Sequence, residues 1–123
     1  MNISASEAVK AALAPHGTLR AAINMSNFLL VSGQDNNGAP DGVSPDLAKA
    51  IAQRLEVPCQ LIPYEGPGQL GDDVGKDIWD IGNIAIEPER AQTIDFSQSY
   101  VDIDANLLVR KNSDFNSNAD INK

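Results

Sequence analysis

Apolar residues fall in short segments along the chain, divided by clusters of Gly, Pro, Asn and Asp, and the spacing within each segment predicts its element. Ser4-Ala5-Ser6-Glu7 has the spacing of a capping box, with Ser4 serving the first amides and Glu7 reaching back. Val9, Ala12 and Leu13 follow at helical intervals, and Pro15-His16-Gly17 stops the helix. Residues 18–24 alternate weakly and read as a first strand, buried on both faces towards its end. Residues 25–31 form an apolar loop. Residues 34–38 (Gln-Asp-Asn-Asn-Gly) form a turn whose Asn and Gly accept positive φ at little cost.

The clearest helix covers residues 45–55. Ser44 is placed to cap it, Pro45 suits the first helical position, and Asp46 meets the positive end of the dipole. Leu47, Ala50, Ile51 and Leu55 make one apolar stripe, with Lys49, Gln53 and Arg54 facing water. Residues 57–64 read as a second strand and 69–76 as a poor helix, weakened by Gly71 and Gly75. The near-continuous apolar run 79–86 reads as a central parallel strand covered on both faces. Pro88-Glu89-Arg90-Ala91 predicts a short helical turn, 105–110 a last strand, and 112–123 a loose polar tail. Strands alternating with helices specify the α/β class, with a mostly parallel sheet flanked by helices. Ligands of such sheets sit beyond the carboxyl ends of the strands, which brings residues 24–28 and 83–90 to one rim.

Composition narrows the chemistry. A length of 123 residues fits one domain, and 42% hydrophobic content in discrete segments is that of a folded chain. Nine Lys and Arg against seventeen Asp and Glu argue against nucleic acid and anionic membrane surfaces as partners. The apolar runs are far too short for membrane insertion. Cys59, the single cysteine, cannot close an internal disulfide and reads as a small buried hydrophobe. His16 has neither a second histidine nor a matched cysteine to share a metal with, and no nucleophile motif beside it. Asp72-Asp73 and Asp102-Ile-Asp104 read as solvated loops, and Gly66-Pro67-Gly68 lacks the Lys and Ser/Thr of a phosphate loop. The expectation is a protein without metal or cofactor. Residues 1–14 mix Glu7 and Lys10 into an Ala-rich stretch unlike a secretory signal. That predicts a cytoplasmic chain as written, or a periplasmic one if a signal has been removed.

Several stretches then resemble one family in collinear order. They are Gly17-Thr-Leu-Arg-Ala-Ala-Ile-Asn24, Gly42-Val-Ser-Pro-Asp-Leu-Ala-Lys-Ala-Ile-Ala52 and Val57-Pro-Cys-Gln-Leu-Ile-Pro-Tyr64. Trp79-Asp-Ile-Gly-Asn-Ile-Ala-Ile-Glu-Pro-Glu-Arg-Ala91, Ile94-Asp-Phe-Ser97 with Tyr100, and Leu107-Leu-Val-Arg-Lys111 continue the series. Over residues 17–113 the chain resembles the N-terminal lobe of type II periplasmic solute-binding proteins, in particular the amino-acid-binding family of ABC importers. The resemblance implies a single lobe of that fold in residues 1–100, then a hinge-type strand and polar tail in 101–123. It also implies a site in which Arg90 grips a ligand carboxylate, a task for which the planar guanidinium fork is suited. Asn83 and Ala85 would contribute strand-to-turn backbone contacts, and Phe28, with Asn27 beside it, would pack over the ligand. Ala85 stands where the family usually has Ser or Thr, which removes one hydroxyl contact.

The family has a second lobe, which this sequence does not include before residue 123, so the expectation is a half-length binder with weak affinity. An exposed apolar rim and an unpaired last strand point to a homodimer through the C-terminal strand. Other readings of the same residues stay open: Arg90 as an ion pair to Glu87 or Asp95, Phe28 as rim packing or dimer interface, Asn83 as a partner for backbone groups. Trp79 reads as core and Asp80 as orienting the adjacent loop. The sequence therefore favours a non-enzymatic binder of a small anionic or zwitterionic solute. The alternative is a ligand-free protein–protein interaction module on the same scaffold, and a dehydratase of the kind this fold also hosts is disfavoured.

Overall fold

The computed structural model describes residues 6–103, 108 and 110–112. Its centre is β1 (Leu19–Asn24), which pairs in parallel with β4 (Cys59–Tyr64) on one edge and β5 (Ile81–Asn83) on the other. Leu19, Ala21, Ala22 and Ile23 are all fully buried, so β1 is covered on both faces. The apolar run 79–86 instead yields the three-residue β5, half-buried, with β1 as its one strand neighbour among the described residues. Among the described residues it is therefore an edge strand and not the central, fully covered one expected. An apolar run reports burial, and burial does not fix which strand has two neighbours. The last predicted strand, 105–110, lies mostly outside the described residues, which include only Leu108 and Arg110 of it.

α2 (Val43–Leu55) connects β1 to β4 and lies on the sheet. Its buried face is Ala48, Ala52 and Leu55; Leu47 and Ile51 are half-buried beside it and Ala50 is exposed. Ala48 packs with Ala21, Ile23 and Val31, while Ala52 and Leu55 pack with Leu19. The helix also starts earlier than its sequence predicts. Gly42 is the N-cap, and Ser44 and Pro45 are buried inside the first turn. At φ 137° Gly42 passes beneath the loop before it, so closely that an added Cβ would stand 2.6 Å from the Leu30 carbonyl oxygen and 2.8 Å from the Ser32 nitrogen. Ser44 N–H donates to the Leu30 carbonyl at 3.0 Å, fixing loop and helix together.

Smaller elements follow local rules. α1 (Glu7–Leu13) is capped by Ser6, whose hydroxyl accepts from Val9 N–H at 3.3 Å, so the cap is two residues later than Ser4. β2 (Gly33–Gln34) and β3 (Pro40–Asp41) form an antiparallel hairpin around the expected turn. There the Asp35 carboxylate accepts from the amides of Asn37 and Ala39. α3 (Pro67–Asp72) is short, and its Leu70 is fully buried beneath Gly82 and Trp79.

The amino ends of β1 and β5 are clamped by charge. Arg20 donates to both Asp80 oxygens at 2.8 and 3.1 Å and to the Asp77 carboxylate and carbonyl, each at 2.7 Å. Arg20 N–H also donates to Asp80 at 2.9 Å, and Asp80 N–H returns a bond to the Arg20 carbonyl at 2.8 Å. His16 Nε2 lies 3.1 Å from the same Asp77 oxygen that Arg20 holds. The Asp80 side chain is only 5% exposed. Burial pushes its carboxyl up, but the Arg20 hydrogen bonds outweigh that and hold it below the usual range. Asp77 is likewise held low, first by Arg20 and then by His16. The Arg20 guanidinium is correspondingly raised, chiefly by its Asp80 bonds.

Three outcomes follow from the charged clamp and the glycine positions. Because Asp77 and Asp80 have depressed folded-state values, their stabilisation is complete above the ordinary carboxylate range and is lost as pH falls through and below about 4. Asp80→Asn should therefore lower the melting temperature at pH 7 and flatten the acid limb of a stability-versus-pH curve. Gly42→Ala should cost about 3 kcal/mol or more in urea unfolding, through strain and collision with the 30–32 backbone. Gly17→Ala, with positive φ but open space around it, should cost only about 1 to 2 kcal/mol.

Candidate functional site

The carboxyl ends of β1 and β5 carry Asn24 and Asn83, and both line one open cleft of about 1000 Å³. The cleft runs along β5 and on to Arg90. It is walled by Ser44, Leu47 and Ile51 of α2 on one side and by residues of the 93–103 segment on the other. Two short-range turns shape its rim. The Asn24 side chain accepts from Ser26 N–H and Ser26 hydroxyl, and the Asn27 side chain accepts from Leu29 N–H at 3.2 Å. Asn27 and Leu30 reach the cleft. Phe28 does not line it and stands 85% exposed at the tip of the loop, next to Leu29 at 71%.

Arg90 begins a 3₁₀ turn, Arg90–Gln92, within the predicted helical turn. Its Nη1 donates to the Ala85 carbonyl at 3.0 Å and lies 3.4 Å from Glu87 Oε1. The side chain is 20% exposed and lines the cleft, and Nε and Nη2 have no partner among the described residues. The ion pair to Glu87 and the cleft position hold together, while Asp95 stands in the lining without an ion pair to Arg90. Ala85 offers its carbonyl to Arg90, and its own N–H donates to nothing among the described residues.

A polar triangle that the sequence did not reveal closes the wall. The Ser44 and Tyr100 hydroxyls lie 3.0 Å apart, and Asn83 Nδ2 donates to the Ser44 carbonyl at 3.3 Å and to the Tyr100 hydroxyl at 3.4 Å. Ser44, read from sequence as a cap, instead ties the 93–103 segment to α2. Asn83 satisfies a backbone carbonyl, as one of its sequence readings expected, and also lines the cleft. The partners stand 39 and 56 residues away from Ser44, beyond any local signal.

Charge in the lining is one-sided. Among the described residues, Asp73, Asp80, Glu87, Asp95 and Asp102 share the lining with a single cation, Arg90. Asp80 is held by Arg20, and Asp73 accepts from the Tyr64 hydroxyl at 2.6 Å and pairs with Lys76 at 3.4 Å. The Tyr64 bond holds Asp73 low, while burial, with Asp73 assisting, pushes the Tyr64 phenol up to about 12. Among the described residues no group of His, Cys, Asp and Glu is placed to hold a metal ion, and no helix is long and apolar enough to cross a membrane.

A family profile described as bacterial extracellular solute-binding proteins, family 3, matches residues 19–121. No curated protein matches the chain. Among solved structures it is similar to an ancestral cyclohexadienyl dehydratase at 29% identity and TM-score 0.63, covering 80% of this chain and 40% of that one. It is similar also to an ancestral cationic amino acid solute-binding protein at 28% identity and TM-score 0.63, covering 78% and 41% of the two chains. A further structure, of an ancestral amino-acid-binding protein described as a precursor of cyclohexadienyl dehydratase, matches at 27% identity over 76% of this chain and 41% of that one, again with TM-score 0.63. The chain thus spans about two fifths of the length of the structures it matches.

Proposed function

Because the chain belongs to the bacterial extracellular solute-binding proteins of family 3, we propose that its cleft takes a small carboxylate-bearing solute such as an amino acid, with Arg90 gripping the carboxylate. The observation that carries this is the guanidinium itself. It lines the cleft, is anchored through Nη1, and keeps its Nε–Nη2 edge without a partner among the described residues. That edge matches the two oxygens of a carboxylate. Asn27, the Asn83 amide and the Ala85 N–H stand in or beside the same lining and supply further polar contacts. Amino-acid binding by similar structures supports the solute class.

On this reading the chain is a binder and not an enzyme. Two cleft acids with strong partners, Asp73 and Asp80, are held as carboxylates by Tyr64 and Arg20, which makes them poor proton donors. Affinity is weak because the cleft is open on one side and leaves much of a small solute in water. The family description supports a site of action outside the cytoplasmic membrane, and on this reading the bound solute would pass to an importer. Calorimetry or ligand-detected NMR against a panel of L-amino acids should find binding near about 1 mM. Arg90→Ala should weaken it by roughly tenfold or more. No binding by the wild type, or equal binding by the variant, overturns the assignment.

The exposed rim supports a homodimer. Phe28, Leu29 and Val43 are exposed apolar residues on the two segments that Gly42 brings together. The C-terminal strand expected to join the interface lies mostly outside the described residues. Light scattering should give twice the 13.1 kDa chain mass, and Phe28→Ser should shift it to monomer; a strict monomer at high concentration overturns the dimer. Since Phe28 lies outside the cleft lining, the rim also favours a second reading, a ligand-free interaction module, for which a dimer would form and the amino-acid panel would give nothing.

A further inference from the structure

Arg90 does not meet a solute as a bare cation. Glu87 Oε1 lies 3.4 Å from its Nη1, and the Glu87 side chain is 54% exposed, so the carboxylate borders both the guanidinium and the open cleft. Nη1 is shared between Glu87 and the Ala85 carbonyl, which directs an incoming carboxylate to the other edge of the fork. Elsewhere in the lining, Asp73 and Asp80 have Lys76 and Arg20, while Asp95 and Asp102 have no cationic partner among the described residues. A simple carboxylate on Arg90 would place two negative charges on one guanidinium, in a cleft that already carries an excess of them. A solute with an ammonium beside its carboxylate meets both charges of the pair at once.

Resting on the solute-site reading, we propose that Glu87 is a specificity-determining residue, which makes the Arg90 site select solutes carrying a cationic group beside the carboxylate. Simple carboxylates and dicarboxylates are disfavoured by repulsion from Glu87, and amino acids with a cationic side chain gain further from Asp95 and Asp102. Discrimination of this kind works as much by excluding the wrong charge as by holding the right one.

The experiment compares L-lysine, L-alanine and propionate, the last being alanine without its ammonium, by calorimetry or ligand-detected NMR. Wild type, Glu87→Gln, Glu87→Asp and Arg90→Ala are measured at low ionic strength. The expected order for wild type is lysine, alanine, then propionate. Glu87→Gln should raise propionate affinity and shrink the lysine-to-propionate ratio by about threefold to fivefold, the scale of an exposed charge pair. Glu87→Asp should keep most of that ratio, and unfolding midpoints should stay close to wild type. A ratio unchanged in Glu87→Gln, with lysine binding still lost in Arg90→Ala, overturns the role of Glu87 and leaves the solute site standing. Binding of none of the three probes to wild type, or equal binding by Arg90→Ala, overturns the solute site and this proposal with it.

Discussion

Everything in this fold is arranged around β1. It pairs along its whole length with β4 and along Ala21–Ile23 with β5, and it is covered by α2. A strand so enclosed must be apolar and mostly small on both faces, and Leu19, Ala21, Ala22 and Ile23 meet that demand with Arg20 as the one long polar side chain at its start. Arg20 converts the amino end of the strand into a clamp, because its donors reach Asp80 and Asp77 across the gap to β5. With β1 and β5 locked at their amino ends, their carboxyl ends are held side by side, and the cleft follows from that alignment.

The cleft is built from groups that hold one another. Gly42 admits the close approach of the 30–32 loop to α2, which sets Leu30 against Ser44, with Asn27 in the same lining. Ser44, Asn83 and Tyr100 then join α2, β5 and the 93–103 segment through hydroxyl and amide contacts of 3.0 to 3.4 Å. Bonds near 3.4 Å are long for their type, so on the proposed function the Asn83 amide would be a donor that a solute recruits at small cost. Arg90 sits at the end of this wall with one edge of its guanidinium engaged and the other unpartnered among the described residues. On the proposed function, the charge balance between Glu87 and Arg90 would let the same wall tell a zwitterion from an anion.

Much of the element order was legible from local pattern. The turn at 34–38, the strands at 18–24 and 57–64, the long helix and the turn at Arg90 are all present close to their expected places. The capping assignments were not. Ser44 has the right side chain beside a helix start, but a glycine able to adopt φ 137° moves that start earlier and takes Ser44 inside. The apolar stripe of α2 was displaced for a related reason. Ala48 and Ala52 are small enough to bury at the closest approach to the sheet, which leaves the larger Leu47 and Ile51 at the cleft edge. Of the candidate site residues, Arg90, Asn83, Ala85 and Asn27 come together in one lining, and Phe28 stands apart from it.

By itself the sequence determined the α/β class, the order of the elements and the motif that ends in Arg90, because helix and strand periodicity and turn chemistry act over a few neighbouring residues. Only the tertiary structure decided that β1 is central, that Arg20 clamps Asp80 across 60 residues, that Tyr100 closes on Ser44, and that Phe28 faces outward. Those are contacts between distant segments. They are fixed by which surfaces pack at close range, and no local spacing along the chain encodes that.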